Sequence, residues 1–126
     1  MSLITSLNRL ERVGDANSEA NKKLLAAAAD VAAEILRIAT PTLLEDHRDE
    51  GGRILLLGKY SAWQYRDDWF LLLMSGGNGL IVGEHLGASR QFAADVAAGL
   101  LDQVATWVEA RTTEVADAAA ALESAQ

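Results

Sequence analysis

The sequence contains no cysteine and no long apolar run. Without cysteine the chain forms neither disulfides nor the thiolate metal sites of zinc fingers, which fits a reducing compartment. Its apolar runs are far shorter than the roughly 20 residues of a membrane-spanning helix, and residues 1–5 lack the basic region and apolar run of a signal peptide. We therefore expect a cytoplasmic chain that does not enter a membrane.

Basic residues are scarce in the C-terminal part of the chain. The whole chain has a net charge of −7, and residues 69–126 contribute only two basic but seven acidic side chains. Nucleic-acid affinity comes largely from cations that neutralise phosphates, so we expect no direct nucleic-acid binding. The acidity confers solubility, and it also suits a protein partner with a basic surface. The length of 126 residues predicts one domain over 1–126.

Residues 3–39 have the spacing of amphipathic helices. We expect one helical segment over 1–14 and a second over 16–39, separated at Gly14 and Asp15. One long helix is the alternative, because a strict 4-3 coiled-coil spacing joins positions 3, 7, 10, 14, 17, 21, 24, 28, 31, 35 and 38. Polar residues and Gly14 interrupt this seam, which favours two helices or one kinked helix. Thr40 and Pro41 are expected to end the helix.

The block from residue 53 to about residue 86 has the composition of a sheet. Residues 69–74 are apolar on both faces, which is typical of a central strand covered on both sides. Residues 66–68 are expected to form a turn, as are Asn78 and Gly79, the preferred pair of a tight hairpin. Three to four antiparallel strands follow from this pattern.

The last helix is expected to begin with Ser89 as its N-terminal cap. Its core face would consist of Ala93, Ala97, Leu100, Val104 and Val108. Residues 112–126 form either a frayed helical extension or a tail that a partner orders. Together the elements predict a two-layer α+β domain with N-terminal amphipathic helices, an antiparallel sheet and a C-terminal helix packed on it.

Several residue patterns partly match known sites of chemistry. Gly58 and Lys59 lack the glycine spacing of a phosphate-binding loop. Ser89 lacks the second glycine of a nucleophile elbow. His47 and His85 stand beside carboxylates and could serve a metal-dependent enzyme or hydrolase, but a charged loop and a strand histidine explain them more simply. We therefore predict no catalytic residue, no metal site and no cofactor.

Two surfaces are candidates for binding another protein. Trp63 and Tyr65 share one strand face and are expected to meet Trp69 across the turn, either as sheet packing or as an exposed recognition patch. An acidic stripe on the last helix is the second candidate, either as a solvated face or as a docking ridge, and contains Asp95, Asp102 and Glu109. The sequence thus favours a non-catalytic, self-associating interaction module that acts as an adaptor, chaperone or inhibitor. A small enzyme using His47 or His85 is the alternative.

Overall fold

The computed structural model describes residues 2–43, 53–75 and 78–126. The elements follow in the order α1 (Leu3–Leu43), β1 (Arg53–Leu57), β2 (Tyr60–Tyr65), β3 (Asp68–Ser75), β4 (Asn78–Ile81), α2 (Leu86–Ala97) and α3 (Leu100–Ser124). The four strands form one antiparallel sheet in sequential order. These elements confirm the predicted α+β fold.

The turns of the sheet set which residues face each other across strands. Arg66 adopts a positive φ of 58° in the predicted turn, and Tyr65 pairs with Asp68. Strands β3 and β4 pair antiparallel, as predicted. The assignment of Asn78 and Gly79 as the turn residues is wrong, because both belong to β4 and Asn78 pairs with Ser75. Glycine suits residue 79 because it leaves room for Leu72: an added Cβ would lie 2.7 Å from Leu72 Cδ1.

The sheet has one face that packs against the helices. The pairs Tyr60 with Leu73 and Ala62 with Leu71 place four side chains on this face. Helix α1 contributes Ala28, Ala32, Ile35, Leu36 and Ala39 to the same core, and Phe92, Leu100 and Val104 complete it from α2 and α3. The ring of Phe92 meets that of Tyr60 edge-on at 5.9 Å. One core therefore joins all three helices to the sheet.

Helix α1 is one continuous helix of 41 residues, so the predicted break at Gly14 and Asp15 is wrong. A single glycine in a helix costs only about 1 kcal/mol, which good helix formers on either side can offset. Helix α1 also continues through Thr40 and Pro41 to Leu43, which makes the predicted end wrong by about one turn. Proline keeps the φ of a helix, although its ring removes one backbone hydrogen bond and crowds the carbonyl four residues earlier, and the helix extends only two residues beyond Pro41.

Only the C-terminal part of α1 belongs to the core. All side chains of residues 3–20, which we call the arm, are exposed. Five of them are large and apolar, with exposed fractions between 53% and 74%: Leu3, Ile4, Leu7, Leu10 and Val13. The arm therefore presents an apolar ridge that the described part of its own chain does not cover.

The C-terminal part of the chain forms two helices, so the prediction of a single last helix is wrong. Gly99 has a φ of 105°, which ends the helical path between α2 and α3. Ala93 and Ala97 are exposed, whereas Leu100 and Val104 are buried as expected. Helix α3 extends to Ser124 with every side chain after Arg111 exposed, so residues 112–124 form a helical extension. Over the described residues, none of the three helices combines the length and apolarity needed to cross a bilayer.

Candidate functional site

An apolar groove runs between α1 and α3. It has a volume of about 670 Å³. Apolar side chains from both helices line it: Val31, Ile35, Ile38, Leu101, Val104, Ala105 and Val108. Ile38 and Leu101 are 54% and 45% exposed, although Ile35 beneath them is 5% exposed. The walls of the groove are therefore apolar and exposed to solvent, and its floor, at Ile35, is buried.

Three carboxylates border the groove. Asp30 and Glu34 lie on α1, and Glu109 lies on α3. The Arg37 guanidinium contacts Glu34 at 2.7 Å, which offsets one of the three charges. The groove therefore combines an apolar floor with a rim of net negative charge, and a ligand that matches it needs apolar anchors flanked by cations.

An aromatic cluster lies on the sheet face opposite the helices. Trp63 and Tyr65 stack with ring centroids 5.3 Å apart, which confirms that they share a face. Arg66 lies 5.5 Å from the Tyr65 ring, and Tyr65 is 51% exposed. The cross-strand partner of Trp63 is Phe70, at 5.6 Å.

The expected contact between Trp63 and Trp69 is wrong. Trp69 pairs with Gln64 and packs against the helix-covered core. Successive side chains of a strand point to opposite faces, so the register of the turn decides which aromatic residue joins the cluster. The candidate patch therefore contains Trp63 and Tyr65 but not Trp69.

The acidic residues of the candidate stripe are divided between two helices. Asp95 lies on α2, whereas Asp102 and Glu109 lie on α3, beyond the break at Gly99. Asp102 is exposed, and Glu109 borders the groove. The structure consequently does not align the three carboxylates on one helical face, because Gly99 interrupts the periodicity that predicted the stripe.

Asp95 is the acceptor of a hydrogen-bonded cluster that links α2 to the sheet. It accepts hydrogen bonds from the Tyr60 hydroxyl at 2.5 Å, from Lys59 Nζ at 3.0 Å and from Gln91 Nε2 at 3.1 Å. The Tyr60 hydrogen bond, followed by those of Lys59 and Gln91, lowers the pKa of the Asp95 carboxyl against an opposing effect of burial. Burial, together with the same carboxylate, raises the pKa of Tyr60. These hydrogen bonds connect α2 to the start of β2, which indicates a structural role for Asp95.

The sequence did not predict the hydrogen bond between Tyr60 and Asp95. Tyr60 and Asp95 are 35 residues apart, and local spacing carries no signal for such a contact. Lys59 lies with Gly58 in the turn between β1 and β2, where it binds Asp95. That position differs from the loop between a strand and a helix in which phosphate-binding glycines and lysine occur.

Ser89 and His85 together close the start of α2. His85 is the N-terminal cap, because its Nδ1 accepts a hydrogen bond from the Ala88 amide at 3.1 Å. Ser89 lies four residues after this cap, inside α2, so its assignment as the cap is wrong. Its hydroxyl is buried, donates to the His85 carbonyl and accepts from the Gly83 amide, each at 2.9 Å. The helix starts earlier than predicted because imidazole can cap it as hydroxyl does.

One of the two candidate histidines, His85, lies within the described residues. His85 lies in the turn before α2 and not in a strand, so its interpretation as a strand histidine is wrong. His47 lies outside the described residues. Within the described ranges, no three histidine or carboxylate side chains come together as metal ligands would.

Comparison with protein-family models, with curated proteins and with solved structures finds no match to this chain. Of the three surfaces described, the Asp95 cluster is satisfied within the chain, and the aromatic cluster is exposed mainly at Tyr65, because Trp63 and Phe70 are half-buried. The groove differs from both because it is concave, apolar and bordered by charge of one sign. It is the best candidate for a binding site.

Proposed function

We propose that the protein is a non-catalytic interaction module that binds an amphipathic, basic helix in the groove between α1 and α3. The observation that carries this proposal is the exposure of Ile38 and Leu101 above an apolar floor, beside carboxylates of both helices. Such a module acts as an adaptor, chaperone or inhibitor according to which protein carries the helix.

The spacing of the lining residues favours a helical ligand. Positions 31, 35 and 38 on α1, and positions 101, 104 or 105, and 108 on α3, follow the three- and four-residue steps of a helix surface. Ridges formed by these steps accept the ridges of a third helix between them. Helices that dock in apolar grooves supply anchors with the same spacing.

The charge of the rim favours basic residues beside those anchors. Asp30, Glu34 and Glu109 remain net acidic after the contact of Glu34 with Arg37. Charges at the rim of an interface mainly accelerate association and select partners, while buried apolar anchors provide most of the affinity. Binding in the groove should therefore weaken as salt concentration rises.

Fluorescence anisotropy with a labelled synthetic helix tests the proposal. The peptide carries leucines at positions i, i+3, i+4 and i+7 with flanking arginines, and the matched control peptide replaces each arginine by glutamate. We expect saturable binding of the arginine peptide and binding at least tenfold weaker for the glutamate peptide. The double substitution Ile38→Ser with Leu101→Ser should weaken binding of the arginine peptide at least tenfold, or about 1.4 kcal/mol.

Leu122→Ser provides the matched protein control, because Leu122 is also apolar and 71% exposed but lies outside the groove. This variant should bind the arginine peptide as the unchanged protein does. Equal binding of both peptides, or undiminished binding by the double groove variant with its helical circular dichroism intact, would contradict the proposal.

A further inference from the structure

We infer that the helix bound in the groove is the arm of a second copy, in a reciprocal antiparallel dimer. This inference rests on the proposed function, because it names the partner of the same groove. It joins two features of one chain: an exposed apolar ridge on the arm and an exposed apolar groove with an acidic rim.

The arm has the chemistry that the groove requires. Leu3, Leu7 and Leu10 repeat at four- and three-residue steps, and each is more than half exposed. Arg9 and Arg12 flank this ridge. The arm also contains three acidic residues, of which Glu11 lies within the ridge, whereas Asp15 and Glu19 follow its last apolar residue, Val13. An apolar ridge between cations complements an apolar floor between carboxylates.

Charge also selects the relative direction of the two α1 helices. In a parallel pair, the arms would lie together and place Arg9 and Arg12 beside their own copies. An antiparallel pair instead brings each arm to the partner's Asp30 and Glu34. Opposite charges then meet, and like charges are separated.

The continuity of α1 allows both arms to dock at once. Leu7 and Ile35 are separated by 28 residues of one helix, about 42 Å at 1.5 Å per residue. If a twofold axis passes beside Asn21, Leu7 of each copy lies level with Ile35 of the other. Both grooves are then filled, so the dimer contains two equivalent arm-to-groove contacts that both count towards the roughly 1,200–2,000 Å² that a stable interface buries. The assembly closes as a dimer and does not extend into a filament.

The polar middle of α1 also fits this arrangement. Asn17 and Asn21 interrupt the apolar spacing near the proposed axis. A polar residue within a coiled-coil seam fixes register at a cost in stability. On the axis, Asn21 would lie opposite its own copy, where two side-chain amides can exchange hydrogen bonds.

Engineered disulfides test the inference directly, because the natural chain has no cysteine. Ile4 and Ile38 are exposed and would lie level with each other across the dimer. Ile4→Cys and Ile38→Cys are prepared as separate proteins of different tag length, mixed, and equilibrated in a glutathione redox buffer. We expect the mixed disulfide to be the main cross-linked product. Its yield should fall at least tenfold when Leu122→Cys replaces Ile38→Cys.

Other products would overturn the inference. Disulfides mainly between two copies of Ile4→Cys would indicate a parallel pair. A monomeric mass by light scattering at 100 μM, or a dimer without the mixed disulfide, would also refute the proposed arrangement. If the groove still binds the arginine peptide in any of these cases, the proposed function stands and the groove serves a different protein.

A charge exchange provides an independent measurement. Arg9→Glu with Arg12→Glu should weaken dimerisation at least tenfold at low salt, as measured by sedimentation. Adding Asp30→Lys and Glu34→Lys should restore it, because both signs are then exchanged. All four positions are exposed, so folding is not expected to change. Failure of the restored variant to dimerise, with its helical content unchanged, would count against an arm-to-groove contact.

Discussion

The two ends of α1 follow the same apolar spacing but have opposite surroundings. Leu36, in the packed part, is 6% exposed, whereas Leu7, in the arm, is 53% exposed. One continuous helix contains both residues. The comparison shows that the spacing of apolar residues predicts which face of a helix is apolar. It does not predict whether another part of the chain, or another molecule, covers that face.

The same leucine-to-alanine substitution at both positions measures this difference. Leu36→Ala should reduce the free energy of unfolding by about 3 kcal/mol, because it leaves a cavity in the core. Leu7→Ala should change it by no more than about 0.5 kcal/mol, as is usual for exposed positions. Urea denaturation, at a concentration where light scattering shows a monomer, provides both values.

Similar losses for Leu36→Ala and Leu7→Ala in the monomer would remove the distinction between the packed part and the arm. The denaturant dependence of both variants should equal that of the unchanged protein, so that the midpoints can be compared directly.

Gly83 defines how closely the packed part of α1 approaches the turn after β4. It has a φ of 96°, and an added Cβ would lie 2.7 Å from Ala29 Cβ and 2.8 Å from Ala29 Cα. Gly83→Ala should therefore destabilise the protein by about 2–4 kcal/mol, through both backbone strain and a clash with a helix backbone. Thermal denaturation followed by circular dichroism provides the measurement.

Gly99→Ala is the control for the contact with α1. Gly99 has a similar φ of 105° but open space where a Cβ would lie. Its substitution should cost only the backbone strain, about 1–2 kcal/mol. If Gly83→Ala were no more destabilising than Gly99→Ala, the contact with Ala29 would not be what excludes a larger side chain at residue 83.

Asp95 links α2 to the sheet, and its substitution should have a smaller effect on stability than those of Leu36 and Gly83. Asp95→Asn should reduce stability at pH 7 by about 1–2 kcal/mol, because it removes charge from three hydrogen bonds. Since folding lowers the pKa of Asp95, its contribution is present above the unfolded value, about 3.9, and is lost as pH falls through the lower folded value. The difference between the two proteins should therefore shrink in acid.

Denaturation at pH 7 and at pH 2.5 measures this difference in stability. In hydrogen exchange, Asp95→Asn should reduce the protection of residues 28–39, which pack with α2, and leave that of residues 3–20 unchanged. An undiminished difference in stability at pH 2.5 would show that ionisation of Asp95 is not its cause.

Much of the fold could be predicted from local patterns. Residues 69–74 indicated an internal strand, and β3 lies between β2 and β4. The shared face of Trp63 and Tyr65 followed from the two-residue period of a strand. The error at Trp69 arose because its face depends on the turn register, which a shift of one residue reverses.

The candidate site was less accessible to sequence reasoning. Its groove needs Ile38 and Leu101, which are 63 positions apart and meet only through helix packing. Each residue was recognisable as apolar on a helix, but spacing within one helix cannot place a second helix beside it. The break at Gly99 was equally hidden, because its alanine-rich surroundings continue the helical pattern on both sides.

The separation of the arm from the core has a consequence for how this chain can diversify. Substitutions at Leu3 or Leu10 alter a surface without opening a cavity in the folded domain. Binding preference can therefore drift, or be redesigned, along the first five turns of α1 while the sheet and its covering helices stay unchanged. Which residues are retained in those turns would therefore depend on the partner that they bind and not on the stability of the fold.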